Sequence, residues 1–250
     1  MPDFTSHVLV VTGGSRGIGA AIVRQAAFAG ARVCFSYRRD RESAEGLRTE
    51  LEVHGERILA IQADAADTGS APRLLDAAEA RFGPVTMLVN NAGITGRYGP
   101  FHELPEEVLR HTFEVNVFGP MLLAQEAIRR WRAAGIAGRM VNISSIAATL
   151  GAPQEYVHYA ASKAAIDALT IGLGKELGAE GIRVNAVAPG TALTDIHAAA
   201  GVPDRPALVA PRIPMQRVAR PDEIANAVMW LLSDEASYVT GTILRVSGGT

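Results

Sequence analysis

Short apolar runs rich in β-branched residues recur along the chain at 7–12, 31–36, 57–62, 85–90, 139–144, 182–188 and 242–247. Most lack the strict alternation of a half-exposed strand, which is the pattern of strands covered on both faces. Between them lie alanine- and leucine-rich stretches of helical character at 17–29, 40–54, 70–82, 105–134 and 156–179. Strand, helix and strand in repeated succession predict an α/β fold: a parallel sheet with right-handed crossovers and helices on both faces. No low-complexity linker or charge block divides the chain, so residues 1–250 read as one doubly wound, Rossmann-like domain.

In such a sheet a ligand sits in the crevice beyond the carboxyl ends of the strands. The unusual polar residues collect at those ends: "TGGSRGIG" after the first run, "NNAG" after the fourth, "SS" after the fifth and "PG" after the sixth. Core packing gives no reason for four separate strand ends to carry polar groups toward one cleft.

Composition narrows the field. With a formal net charge of −2 the chain has no basic field to draw nucleic acid or anionic lipid. No apolar run approaches a membrane span, and the start of the chain does not read as a signal peptide. A single cysteine, Cys34, excludes an internal disulfide, and no Cys/His cluster suggests a metal. A reducing, cytoplasmic setting is the default expectation, with a small molecule as the partner.

"TGGSRGIG" (12–19) follows a strand and opens a helix, the context of a dinucleotide-binding loop. Gly13 permits the tight turn, Gly17 lets backbone approach a pyrophosphate, and Gly19 allows close helix–sheet packing. The helix N-terminus then offers free N–H groups and a positive dipole. A tight strand-to-helix turn without a ligand would use the same residues. The second strand ends "FSYRRD", placing Tyr37, Arg38 and Arg39 ahead of Asp40 where an NAD site would place an acid. An arginine there suits a 2′-phosphate, and Arg16 adds charge on the same side, so NADP(H) is favoured over NAD(H). Asp64 is placed either to accept from the adenine or to cap a helix.

Within "YVHYAASKAAIDAL" (156–169), Tyr159 and Lys163 are four apart and share a helix face. Alone, this pair reads equally as a core-facing tyrosine beside a snorkelling lysine. In company it does not. "TGGSRGIG", "NNAG" (90–93), Asn116, "NISS" (142–145), "YAASK" (159–163), "PGTALT" (189–194) and the closing "YVTGTILRVSGG" resemble, in order and spacing, the short-chain dehydrogenase/reductase family. Within it, "GAPQEYVHYAASKAAID" and "IPMQR" look like a bacterial group labelled glucose-1-dehydrogenase-like or 3-oxoacyl-carrier-protein-reductase-like.

That resemblance implies roles. Tyr159 would be the acid/base, its phenol needing help because an ordinary phenol titrates near 10. Lys163 would favour the phenolate and hold the nicotinamide ribose. Ser145 would orient the substrate oxygen, and Asn116 would anchor a water leading to Lys163. The dinucleotide would lie against Gly13, Ser15, Arg16, Gly17, Ile18 and Gly19, then Tyr37, Arg38, Asp64 and Ala65. Asn91, Ala92 and Gly93 would follow, with Tyr159, Lys163, Pro189, Gly190 and Thr194 at the nicotinamide end. Asn90 would brace the structure instead. No metal is implied.

Two departures from the family pattern stand out. Ser145 precedes Tyr159 by fourteen residues where thirteen is usual, and Ser247 replaces an acid before the final glycines. Ser144 would be a structural neighbour that caps the loop. Tyr156, seven before Lys163, has the spacing of the enoyl reductases but reads better as pocket wall or packing. His158 reads as surface or packing. Residues 191–217, with four prolines in 194–217, read as a mobile substrate lid carrying His197 and Met215 as pocket candidates. The helices 105–134 and 156–179 would suit packing between subunits, a homotetramer by analogy. The expected activity is NADP(H)-dependent interconversion of a carbonyl and an alcohol on a small or medium molecule. A sugar dehydrogenase or a 3-oxoacyl-carrier-protein reductase is the alternative, the latter favoured if Arg97, Arg129 and Arg130 form a basic patch. A non-catalytic NADP-binding sensor is the second alternative.

Overall fold

The computed structural model describes residues 2–250, the side chain of His54 excepted. Among them seven strands form one parallel sheet: β1 (Val8–Val11), β2 (Arg32–Tyr37), β3 (Ile58–Gln62), β4 (Met87–Asn90), β5 (Arg139–Ile143), β6 (Arg183–Pro189) and β7 (Ile243–Val246). Their order in space is β3-β2-β1-β4-β5-β6-β7. The order reverses between β1 and β4, so the crevice lies beyond their carboxyl ends.

The helices are α1 (Gly17–Phe28), α2 (Arg41–Glu50), α3 (Ser70–Phe82), α4 (Glu106–Phe113), α5 (Gly119–Ala134), α6 (Ala147–Leu150), α7 (Val157–Leu177), α8 (Ile196–Ala199), α9 (Arg205–Val209) and α10 (Pro221–Leu232). Strand side chains alternate between two cores, which explains why the runs are apolar without a gap. Leu9 and Val11 join Ile22, Phe35 and Val228 on the face of α1 and α10. Val8 and Val10 join Leu74, Leu75 and Trp131 on the face of α3 and α5. Each such side chain, fully buried, contributes about 1.5–3 kcal/mol over an exposed one.

The stretch expected as one helix over 105–134 is broken. α4 ends at Phe113, a single π-helical turn occupies Glu114–Phe118, and α5 begins at Gly119. Pro120 has no N–H to offer the carbonyl of Asn116 one turn back, so the regular ladder cannot run through this point. π-turns inside helices often mark functional positions. The stretch 40–54 likewise divides, into α2 and a 3₁₀ turn over Leu51–His54. β7 is only partly buried, in keeping with its place at the sheet edge.

Candidate active site

The glycine loop is built by β1 and held by its neighbours. Gly13 takes a left-handed backbone (φ 63) and its N–H donates to Ser36 Oγ at 3.1 Å. Asn91 Nδ2 donates to Thr12 O (2.9 Å) and Gly13 O (3.0 Å), while Thr12 Oγ1 accepts from the N–H groups of Asn91 and Ala92. The first and fourth strand ends are thus stitched together. A Cβ at Gly19 would collide with Gly13 O and Asn91 Nδ2, which is why α1 can start so close to the sheet only with glycine there.

Above this seam lies a cavity of about 1150 Å³. Its wall carries Gly13, Ser15, Arg16, Gly17, Ile18 and Gly19 from the loop, Tyr37, Arg38 and Arg39 from the end of β2, and Asp64 and Ala65 after β3. Asn91, Ala92 and Gly93 follow β4, and Pro189, Gly190 and Thr194 follow β6. Thr194 faces Gly17 closely enough that a Cβ there would lie 3.1 Å from its methyl. Tyr37 is buried, whereas Arg38 and Arg39 are exposed at the rim.

Electrostatics divide this end of the cavity sharply. Asp40 is the N-cap of α2, its carboxylate accepting from Ser43 N (2.9 Å) and Ser43 Oγ (2.7 Å). These bonds, with a smaller contribution from the Arg16 charge, hold it below the usual carboxylate range, so that on the cavity wall its carboxylate is engaged at the helix start. Arg16, Arg38 and Arg39 make no ion pair with the described residues, while arginines elsewhere, such as Arg24, Arg130 and Arg217, are paired. Asp64 does not cap a helix: it accepts from Ala66 N at 3.0 Å in a local turn, and α3 starts later, at Ser70.

At the other end, Ser145, Tyr159 and Lys163 meet. Lys163 Nζ lies 5.8 Å from the Tyr159 ring centre and donates to Ile143 O at 2.7 Å. Burial pushes the ammonium down to about 8, with Asp167 pulling it back. The Tyr159 phenol is pushed up by burial, the Ser145 hydroxyl acting the other way. The expected charge assistance to the phenol is therefore not expressed in this arrangement. The ammonium engages a backbone carbonyl and the ring, and desolvation dominates.

Asn116 lies behind the wall, fully buried at the π-turn. Its Nδ2 donates to Ile94 O (2.8 Å) and Ser162 Oγ (3.0 Å), and its Oδ1 accepts from Ile94 N (2.9 Å). Its side chain thus fixes the β4 loop to α7, leaving only its backbone carbonyl for a water. Asn90 donates to Asn142 Oδ1 at 2.9 Å inside the sheet.

Two readings need correction. Ser144 caps nothing: its hydroxyl donates to Asp167 Oδ1, and Asp167 sits one turn beyond Lys163 on α7. The capping is done by Ser145, whose Oγ accepts from Ala147 N at 3.1 Å. Of the two roles read for His158, packing is the one found: it is fully buried beside Gly96, and desolvation lowers its pKa. The basic patch does not form, because Arg129 and Arg130 pair with Glu126, Asp76 and Glu79. In the loop between Ser145 and α7, Ala152 (φ 44) and Gln154 (φ 63) take left-handed backbone.

Sequence reasoning missed one cluster. Glu155 and Tyr156 before α7 face His197 on α8 and Arg205 on α9, all four on the cavity wall. Arg205 grips Glu155 with both terminal nitrogens, each at 2.6 Å. Its guanidinium lies 5.5 Å from the Tyr156 ring centre. The pairing spans fifty residues and leaves no local signal.

A family model described as enoyl-(acyl carrier protein) reductase matches residues 13–250. The chain is 41% identical over 244 residues to the uncharacterized oxidoreductase YgfF of Escherichia coli (strain K12), covering 97% of this chain and 99% of that protein. It is 42% identical over 247 residues to the cis-4-hydroxycyclohexanecarboxylate dehydrogenase of Sinomonas cyclohexanicum, covering 98% and 97%. Among solved structures, a blue fluorescent protein from a metagenomic library in complex with NADPH superposes with a TM-score of 0.87 at 39% identity, covering 97% of each chain.

Proposed function

The chain belongs to the short-chain dehydrogenase/reductase family, oxidoreductases that use a nicotinamide cofactor, and from that premise we propose that it interconverts a carbonyl and an alcohol with NADP(H). The observation that carries the NADP(H) reading is the rim of the cavity. Arg16, Arg38 and Arg39, without an ion pair to the described residues, stand where the adenosine ribose would lie, and the acid at the end of β2, Asp40, is engaged in a helix cap. A 2′-phosphate would neutralise that charge, whereas a 2′-hydroxyl would leave it uncompensated.

A dinucleotide fits the residues present. Gly13 and Gly17, both with left-handed backbone, leave the loop open at the start of α1, where phosphates bind, and Gly19 lets that start sit close to the sheet. Bound there, the cofactor supplies the hydride. Ser145 and Tyr159 then hold the substrate oxygen, and Tyr159 gives or takes the proton at that atom. Lys163 holds the ribose hydroxyls and supplies the positive charge that lowers the phenol once its ammonium turns from Ile143 O. Asn116, through its backbone carbonyl, anchors the water that returns the proton to solvent. Residues 191–217, including α8 and α9, act as the lid. The exposed Phe118 and Ile171 on the α5 and α7 side support assembly through these helices into a homotetramer. Among the described residues no helix is long and apolar enough to cross a membrane, in keeping with a cytoplasmic setting.

A second reading has two observations behind it: the description of the family model and the Tyr156-to-Lys163 spacing. It makes Tyr156 the proton donor in reduction of a carbon–carbon double bond. Burial pushes the Tyr156 phenol up to about 12, with Arg205 opposing, and the place beside Ser145 and Lys163 belongs to Tyr159. Absorbance assays with NADPH and NADH against β-ketoesters, diketones, aldehydes and enoyl thioesters, and with NADP⁺ and NAD⁺ against secondary alcohols, decide between them. Carbonyl turnover lost in Tyr159→Phe supports the leading reading, and enoyl turnover lost in Tyr156→Phe supports the second.

A further inference from the structure

Three consecutive residues at the end of β5 meet three successive turns of α7. The carbonyl of Ile143 accepts from Lys163 Nζ at 2.7 Å, the Ser144 hydroxyl donates to Asp167 Oδ1, and the Ser145 hydroxyl acts on the Tyr159 phenol. Ser144 Oγ also lies 3.4 Å from Lys163 O, so it meets the helix at two points. Tyr159, Lys163 and Asp167 follow one another at four-residue spacing and form one ridge, with Lys163 in the middle. Asp167 is half-buried on that ridge and touches neither the hydride nor the proton of the proposed reaction.

A buried ammonium needs a compensating charge. Lys163 is buried, makes no ion pair among the described residues, and has its Nζ against a carbonyl and a ring. Asp167 is the acid one turn away, a separation of about 5–6 Å between Cβ atoms. Ser144 engages one of its oxygens and so holds the acid out of direct contact with the ammonium while leaving its charge in place. The two groups support each other's ionised forms. Burial pushes Lys163 down to about 8 against the pull of Asp167, and burial pushes Asp167 up against the Ser144 bond and the Lys163 charge.

No second acid among the described residues takes this place. Of the charged groups on elements packed against α7, Arg110 and His111 on α4 pair with Glu106 and Glu114, and Glu107 is exposed. On β5 and β6, Arg139 and Arg183 stand at the opposite end of the strands, held by Asp234 and by backbone carbonyls. Arg245 on β7 is exposed, Glu180 beyond α7 pairs with Arg132, and α6 carries no charge. On α7 itself, Lys175 and Glu176 lie two turns beyond Asp167.

Resting on the dehydrogenase reading for its catalytic consequence, we propose that Asp167, held by Ser144, is a positioning residue of the active site. It is the fixed counter-charge of the Lys163 ammonium, set far enough away that Nζ stays free for the dinucleotide ribose and the Tyr159 phenol. A direct ion pair would occupy the ammonium, and a neutral residue would leave it uncompensated.

The chain has only two lysines, Lys163 and the exposed Lys175, so each ammonium can be followed directly. The full chain labelled with ¹³Cε-lysine is titrated by NMR, and Lys175→Arg assigns the two signals. Asp167→Asn keeps an acceptor for Ser144 and removes only the charge. Asp167→Ala, in which Ser144 can still donate to Lys163 O, is the second charge-free variant should the first fail to fold. Losing the counter-charge is expected to lower the proton affinity of Lys163 about tenfold, taking its midpoint further below about 8. Asp167→Glu, which keeps the charge, should leave the midpoint at or above that of the wild type. A fall of less than about threefold without the charge, or an equal fall in Asp167→Glu, overturns the inference. The titration needs no substrate, so an absence of turnover counts against the dehydrogenase reading alone. Where an alcohol is oxidised with NADP⁺, the alkaline limb of kcat/KM should move to lower pH in Asp167→Asn and not in Asp167→Glu. An unmoved limb in Asp167→Asn overturns the role of Asp167 in the reaction.

Discussion

Lys163 sits 5.8 Å from the centre of the Tyr159 ring, yet its ammonium donates to Ile143 O and not to the phenol. Burial therefore dominates both groups, raising one pKa against the Ser145 hydrogen bond and lowering the other against the Asp167 charge. In the proposed mechanism Tyr159 acts through the proton at its oxygen and not through its bulk. Tyr159→Phe is accordingly expected to lower turnover about 10²–10⁴-fold, the range of a lost general acid or base. Dinucleotide affinity should stay within about twofold, because the ring remains. Fluorescence titration with NADPH beside the kinetic assay checks both halves. Appreciable activity in the variant would remove Tyr159 from the mechanism.

The buried ammonium has a cost with a definite pH window. Lys163 titrates near 8 in the folded chain and near 10.5 when unfolded. Below the lower value both states hold the proton, and the fold bears the full cost of burying the charge, roughly 3 kcal/mol. Between the two values the unfolded chain holds more protons, so stability rises with pH. Lys163→Met is expected to be inactive, and its stability advantage over the wild type should shrink across that window. Urea unfolding of both proteins on either side of the window reads the difference directly. A pH-independent difference would mean that Lys163 is neutral, or fully solvated, in the folded state.

The sheet was legible because a strand buried on both faces leaves an apolar run, and because glycine loops are local. Seven strands and a crevice beyond their carboxyl ends follow from the pattern alone, whereas its place between β1 and β4 follows from the strand order of the folded sheet. The break at Asn116 was not legible, since an alanine-rich run reads as one helix and only Gly119-Pro120 hints otherwise. Asp167 shares a helix face with Lys163 at ordinary four-residue spacing, but its bond to Ser144 joins residues twenty-three apart. The grip of Arg205 on Glu155 is a tertiary contact between two loops, and periodicity carries no information about it. Charge placement showed the same limit. Arg129 and Arg130 looked free in sequence, and α3 supplies Asp76 and Glu79 to pair Arg130.

Asn116 holds the break together. Its side chain satisfies Ile94 N–H, Ile94 C=O and Ser162 Oγ, all away from water. Removing it leaves two backbone groups unpaired at about 1–3 kcal/mol each, partly relieved by relaxation. Asn116→Ala should therefore destabilise the fold by about 2–4 kcal/mol and slow turnover, because Gly93 and Lys163 lie beside the loop it fixes. Denaturant midpoints give the first number. A variant as stable as the wild type would show that water takes over these bonds.

On the NADP(H) proposal, the rim arginines are what discriminates between the two cofactors. Arg38 is exposed, unpaired and on the cavity wall, while Asp40 is committed to Ser43. A charge-assisted contact to phosphate contributes about 1.5–3 kcal/mol, so Arg38→Gln should raise the KM for NADPH roughly 10–100-fold. The KM for NADH should hardly move, because a ribose hydroxyl gives the guanidinium little to grip. Arg16→Gln should act in the same direction, its charge being on the same wall. Side-by-side kinetics with both dinucleotides on wild type and variants measure the ratio. If Arg38→Gln weakens both cofactors equally, Arg38 contacts the adenine or pyrophosphate instead, and the NADP(H) preference would have to rest on Arg16 and Arg39.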